Sequence, residues 1–377
     1  MPRGKQQGEK IPHAKFAQIF DINKMHDPQA AAEMKAFFND NGVVCINLQQ
    51  MVDKQKVVRA MIEEIFGELP YSKKYLLKVT AEDGRVLDVT NPDHSEAITT
   101  ELLRSPLSNE NLRALEKTAP PHRQFGAPCI VQSWHGKWAN KLRQHPKIFD
   151  VAKKLLGTEH PWCPINRSII KLPKQGQEEF LHWDMDPRNA LNGDVGFDEL
   201  QGKVCFTDGT FVCVPGSHTK EFLDEFCNKY NDLYPGRKLG QAKYGLDPEK
   251  DDPMGLFQRQ RSFTVPGGCW VVWKKELLHG HAKLGRDKGI SFGCYLGFRK
   301  SMSKEQQREC EELYCTGAMP ARYPSGDFFP AKYDIFPKVL ESMVGQKLSD
   351  KAKAELVTTR VTQTGKEVQD IRPWGWG

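Results

Sequence analysis

The chain has 377 residues, 39% apolar and 27% charged, with 54 Lys+Arg against 48 Asp+Glu for a formal charge of +6. That composition fills a substantial core and excludes a collagenous, low-complexity or disordered polymer. The excess charge is mild and comes with no recognised nucleic-acid module, so nucleic acid is not the expected partner, whereas a small anionic molecule fits. No apolar stretch approaches the roughly 18 residues of a membrane span. Ten cysteines occur without a CxxC pair or a Cys/His spacing suited to zinc. Cys45, Cys205, Cys213 and Cys294 lie in apolar runs where a free thiol packs as a small hydrophobe. With no signal-peptide apolar region, this predicts an intracellular, cytoplasmic setting with no membrane contact. Oligomeric state is not legible.

Residues 1–15, with Arg3, Lys5 and Lys10, read as a flexible basic tail. A helix is predicted over Asp27 to Asn41, capped by Asp27, opened by Pro28 and stopped by Asn41-Gly42. A buried strand, Val43 to Leu48, follows directly, then a second helix over 50–66. The Pro-punctuated stretch 67–135 yields no assignment. Pro146 to Leu156 carries apolar residues at helical spacing and closes at Gly157.

From 165 the pattern changes to short β-branched or aromatic runs separated by Gly, Pro and Asp: Arg167–Leu172, Glu179–Asp184, Lys203–Thr207, Thr210–Val214, Ser262–Val265, Cys269–Trp273 and Ile290–Phe298. Such spacing predicts a sandwich or jelly roll rather than alternating β/α units. A helix is expected over Lys220 to Tyr230, and others over 303–316 and 334–357. The expected fold is α+β with a mainly β core: helical to about 160, β from about 165 to 299, all within one domain spanning 16–299. A helical extension, 300–377, packs on that core through Tyr323, Phe328, Phe329, Tyr333 and Phe336.

In a strand over Phe180–Asp184, His182 and Asp184 point to one face and Trp183 to the other. One imidazole and one carboxylate make two-thirds of a 2-His-1-carboxylate facial triad, which leaves positions open on ferrous iron. Far downstream, Leu277-Leu278-His279-Gly280-His281 follows a Pro-Gly-Gly turn and an apolar strand. Strands distant in sequence lie side by side in a jelly roll, so His279 or His281 can supply the third ligand.

The ordered set resembles the phytanoyl-CoA dioxygenase-like family of Fe(II)/2-oxoglutarate-dependent oxygenases. The matching pieces are Asn41-Gly42-Val43-Val44, His145-Pro146, Leu155-Leu156-Gly157, Ile170-Lys171-Leu172-Pro173, His182-Trp183-Asp184, Asp208-Gly209-Thr210-Phe211, Val214-Pro215-Gly216-Ser217-His218, Pro266-Gly267-Gly268 and His279-Gly280. The resemblance spans about residues 27–299 and implies a double-stranded β-helix, cupin-like, flanked by helices. It implies that His182, Asp184 and His279 are the iron ligands and the catalytic centre, and that His218 is a turn residue. It further implies 2-oxoglutarate and O₂ as co-substrates, with C–H hydroxylation, desaturation or oxidative cyclisation of a small metabolite, as in secondary metabolism; the mild positive charge leans toward an anionic one.

One departure stands out. The family anchors the distal carboxylate of 2-oxoglutarate with an arginine before a strand, and Gly289 falls at that place. Lys288 and Arg286 are the nearest substitutes, and Lys171 is a further one on a neighbouring strand. Ser291 is a further cofactor-binding candidate. The gap also leaves open a different co-substrate such as ascorbate, including on a nucleic-acid substrate, or a jelly-roll binding module without turnover. Trp183, Trp270 and Trp273 are expected to pack the core.

Overall fold

The computed structural model describes residues 14–15, 18–48, 51–63, 77–118, 130–131, 137–163, 168–173, 181–193, 198–233, 252, 254–281, 289–300 and 303–305. Their strands, in chain order, are β1 (Ala14–Lys15), β2 (Ile19–Asp21), β3 (Val43–Asn47), β4 (Lys78–Thr80), β5 (Val86–Asp88), β6 (Ile130–Val131) and β7 (Ser168–Lys171). There follow β8 (Glu199–Cys205), β9 (Gly209–Cys213), β10 (Arg261–Val265), β11 (Cys269–Lys274), β12 (His279–Gly280), β13 (Ser291–Tyr295) and β14 (Phe298–Arg299). The larger sheet runs β2-β3-β11-β8-β13-β7-β6 with β14 beside β8, the smaller β1-β10-β9-β12, and β4-β5 form a separate hairpin.

Local rules set the opening unit as expected. Gln29 N–H donates to Asp27, Pro28 occupies the first turn, and the helix Pro28–Asn41 ends at Gly42 with φ +74°. The helix Pro146–Leu156 is capped by His145 and closed by Gly157 at φ +65°. The second helix is shorter than expected, Lys54–Ile62. Ala14–Lys15, inside the expected tail, add a parallel edge strand to β10. The stretch without assignment holds β4, β5 and the helices Ser95–Leu102 and Asn109–Thr118. The expected helices over 303–316 and 334–357, and the aromatic residues between them, lie outside the described residues apart from 303–305.

Alternation along the strands divides the core. Val44, Ile46, Val204, Trp270, Val272 and Phe292 face outward from the larger sheet and pack with Met34, Phe38, Met61 and Ile148 of the covering helices. Val43, Cys45, Cys205, Val271 and Trp273 face inward and meet Phe211, Cys213 and Val265 of the smaller sheet. The smaller sheet's outer face, through Val212 and Val214, is covered by Phe222, Leu223 and Phe226 of the helix Lys220–Leu233. The result is helices, sheet, sheet and helices in layers. No helix among the described residues is long and apolar enough to cross a membrane.

The turn Pro215–His218 joins these layers. His218 Nε2 donates to Asn39 O at 2.9 Å, and Gly216 N–H donates to Asn41 O at 3.2 Å, so the turn docks on the C-terminus of the first helix. Ser217 Oγ accepts from the Leu278 N–H at 2.9 Å, and Val214 N–H donates to Leu278 O at 3.0 Å. Leu278 is thereby fixed immediately before His279. Burial first, then nearby Lys274, pushes the His218 imidazole down to about 4, so the ring is neutral. Its place is structural, in accord with the sequence reading.

Candidate metal centre

The structure brings His182, Asp184 and His279 together: one ligand atom from each lies within 4.8 Å of the others. His182 Nε2 stands 3.7 Å from Asp184 Oδ1, and His279 Nε2 stands 3.6 Å from Asp184 Oδ2. His182 and His279 pair through their backbones, His182 N–H to His279 O at 2.9 Å and His279 N–H to His182 O at 3.1 Å. The expected strand over Glu179–Asp184 is therefore reduced, in its described part, to this one bridge. The chain leaves the sheet immediately afterwards, because Asp186 caps the helix Pro187–Leu191. The predicted alternation nevertheless holds: Trp183 points away, meets the Phe226 ring at a tilt with centroids 4.8 Å apart and donates Nε1–H to Glu276 O at 2.8 Å.

Charge and tautomer favour metal binding. Burial raises the Asp184 carboxyl, but facing His279, His182, the Gln201 amide and Lys275 outweigh it and hold the group below the ordinary carboxylate range. Burial first, then His182, pushes His279 down to about 4, so its imidazole is neutral. His279 Nδ1–H donates to Leu277 O at 2.9 Å, which leaves the Nε2 lone pair facing the centre. Donors about 2 Å from a common ion in cis positions stand roughly 3 Å apart, so small side-chain shifts close the observed spacing. Two imidazoles and one carboxylate, with no thiolate, suit Fe(II). Side-chain exposures of 20% at His182 and 27% at Asp184 against 4% at His279 place the open side over the first two.

The supporting shell comes from alternate residues of β8. Gln201 Nε2 donates to Asp184 Oδ2 at 2.7 Å, and Trp273 Nε1–H donates to Gln201 Oε1 at 2.7 Å. The indole thus settles which end of the Gln201 amide faces the carboxylate. Trp273 also packs on Phe211 and His279, with ring centroids 5.0 and 5.1 Å apart, so its role exceeds the expected core packing. Toward one end of β8, Glu199 Oε2 pairs with Lys275 at 2.9 Å and Arg299 at 3.1 Å, all buried. Toward the other, Lys203 Nζ lies 3.0 Å from Thr210 O and 3.2 Å from His281 Nδ1. His281 Nδ1 also stands 3.1 Å from Thr210 O, so the ammonium, the imidazole and that carbonyl form one buried polar cluster. His281, the alternative third ligand, therefore lies outside the triad and beside Lys203.

The other predicted residues separate. Lys171 and Ser291 are opposed partners on β7 and β13, both buried, on the sheet face that carries Lys203. Lys288 and Arg286 lie outside the described residues. Sequence reasoning misses Gln201 and Lys203 as site residues because the apolar run starts the strand at Lys203, whereas it begins at Glu199. The alternation of Glu199, Gln201, Lys203 and Cys205 with Leu200, Gly202 and Val204 is the signal that could have found them.

Near the centre, Glu276 is fully buried and, among the described residues, neither carboxyl oxygen has a hydrogen-bond partner. Burial pushes its carboxyl up to about 8. Between its unfolded value near 4.3 and about 8, the native state keeps a proton the unfolded chain loses. Stability from this group therefore falls as pH rises through that window and levels above it. Glu276→Gln is expected to be more stable than the parent at pH 8 by several degrees in Tm, with the gap closing by pH 5. Parallel Tm–pH curves for the two proteins would exclude Glu276 as the source.

No protein-family model matches the chain, and no curated protein matches it. Among solved structures, a hypothetical protein, JW0805, from Escherichia coli aligns at TM-score 0.52 and 12% identity, covering 87% of this chain and 85% of that one. The two share a fold. EctD from S. alaskensis with bound Fe aligns at TM-score 0.42 and 15% identity, over 71% of this chain and 76% of that one. The epimerase SnoN, in complex with Fe3+, alpha ketoglutarate and nogalamycin RO, aligns at TM-score 0.43 and 14% identity, over 82% and 98%.

Proposed function

We propose that the chain is an Fe(II)/2-oxoglutarate-dependent dioxygenase whose two facing sheets form a double-stranded β-helix, and that it oxidises a C–H bond of a small molecule. The observation that carries this reading is the convergence of His182, Asp184 and His279 between the sheets with their open side toward solvent. Bound Fe(II), with 2-oxoglutarate and O₂, supplies the oxidising chemistry for hydroxylation, desaturation or oxidative cyclisation. The chain's own part is to present and protect. Leu277 O sets the His279 tautomer, Gln201 and Trp273 aim the carboxylate, and Phe211 and Trp273 keep water from the His279 side. The intact Asp184 leaves no vacancy for halide, which favours oxidation over halogenation.

Anaerobic titration of the Fe(II)-loaded protein with 2-oxoglutarate tests the proposal. A weak visible charge-transfer band, saturating with ligand, is expected. Iron binding without a band would point to another co-substrate such as ascorbate, and absence of iron binding would leave a non-catalytic binding module.

A further inference from the structure

Three observations concern an anion site one strand repeat from the centre. First, the position where the family resemblance calls for an arginine is closed: a Cβ on Gly289 would stand 2.9 Å from Arg104 O, so backbone fills the space a side chain needs. Second, Lys203 is 3% exposed, yet the partners of its ammonium among the described residues are neutral, the Thr210 carbonyl and the His281 ring. A buried ammonium without a carboxylate is a strong attractor for one. Third, Ser291 and Lys203 flank the same glycine: a Cβ built on Gly209 would lie 2.8 Å from Cys205 Sγ, 3.2 Å from Ser291 Oγ and 3.7 Å from Lys203 Nζ. The two donors therefore stand close enough to address one carboxylate. Lys171, opposite Ser291 in the register, adds a second cation on the same face.

We infer that Lys203, with Ser291, binds the distal carboxylate of a dicarboxylic 2-oxo acid whose oxo-acid end lies at the His182–Asp184–His279 centre. The inference rests on the function proposed above. Strand geometry supports the spacing. Gln201, which holds Asp184, and Lys203 are alternate residues of β8 and so about 6.6 Å apart along the strand. An extended five-carbon diacid spans about 5 Å between carboxyl carbons, leaving room for a hydrogen bond at the Lys203 end. A lysine offers a point charge where an arginine offers a fork, so the Ser291 hydroxyl supplies the second donor.

The test compares two ligands on the anaerobic Fe(II)-loaded protein, 2-oxoglutarate and pyruvate, the second lacking the distal carboxylate. Dissociation constants are read from the visible band. The parent is expected to prefer 2-oxoglutarate, and Lys203→Met to weaken 2-oxoglutarate by roughly 10- to 100-fold while leaving pyruvate within about twofold. Lys203→Arg should restore part of the preference. If the parent gives a band and Lys203→Met keeps its full preference, the carboxylate is held elsewhere and the inference is overturned while the proposed function stands. If the parent gives no band with either acid, the proposed function fails and this inference with it. Should Lys203→Met not fold, Ser291→Ala removes only a hydroxyl and reads the same discrimination. A loss of roughly three- to tenfold for 2-oxoglutarate alone supports the site, and an unchanged ratio overturns it.

Discussion

Asp184→Ala is expected to weaken Fe(II) binding by more than about 100-fold and to remove turnover, with little change in the fold. The carboxylate is the centre's only negative charge among the described residues, held ionised by His279, His182, Gln201 and Lys275. Its loss leaves two imidazoles, which bind a divalent ion weakly, and strands the Gln201 amide. Gln201→Leu provides the graded comparison. It keeps every ligand and every charge but frees the carboxylate to rotate, and supporting residues of this kind are worth about 10- to 100-fold in metal affinity. Anaerobic calorimetry with Fe(II) should therefore rank parent, Gln201→Leu and Asp184→Ala in falling order. An Asp184→Ala protein that binds Fe(II) within tenfold of the parent would remove the triad as the metal site.

Gly42→Ala is expected to be the most damaging single methyl in the first layer. Gly42 sits at φ +74°, a left-handed conformation that costs a side chain about 1–2 kcal/mol. The new Cβ would also collide with His218 Nδ1 and stand 2.8 Å from its Cγ, in a packed interior where overfilling costs about 1–3 kcal/mol. Gly84 separates the two contributions. It has φ +83° but nothing within 4 Å of the point where a Cβ would stand, so Gly84→Ala reports the backbone effect alone. Chemical denaturation should show Gly42→Ala losing clearly more than Gly84→Ala. Equal losses would mean that the His218 ring yields freely. Because His218 and Ser217 lie on the turn that fixes Leu278, Gly42→Ala should also weaken Fe(II) binding at His279, although no atom of residue 42 belongs to the centre.

Helix ends are legible because caps obey rules spanning only a few residues: Asp27-Pro28, Asn41-Gly42 and His145-Pro146 each carry their own stop or start. The pair His182 and Asp184 is legible from alternation, even though its stretch forms a single bridge rather than the expected strand. His279 emerges from motif order and not from spacing alone. What escapes depends on partners far along the chain. A lysine such as Lys203 reads as a surface residue until Thr210 and His281 are seen to enclose it. Gln201 carries no local sign of a role, since its two partners arrive from Asp184 and Trp273. Elements between 77 and 118 are short, and β5 is exposed at both Val86 and the neighbouring turn, so hydrophobic periodicity has little to grip.

β8 places Glu199, Gln201 and Lys203 on one face, and Gly202 makes that placement irreversible. A Cβ at Gly202 would run into Leu296 O and Trp270 Nε1 on the outer face. Sliding the strand by one residue would press Gln201 or Lys203 into that contact and turn Leu200, Gly202 and Val204 toward the metal. Neither outcome can be accommodated by repacking, because β11 on one side and β13 with β14 on the other hold the strand throughout. The smallest residue in the strand therefore acts as the index mark for the site, since a misaligned β8 would carry a steric clash as well as misplaced site residues.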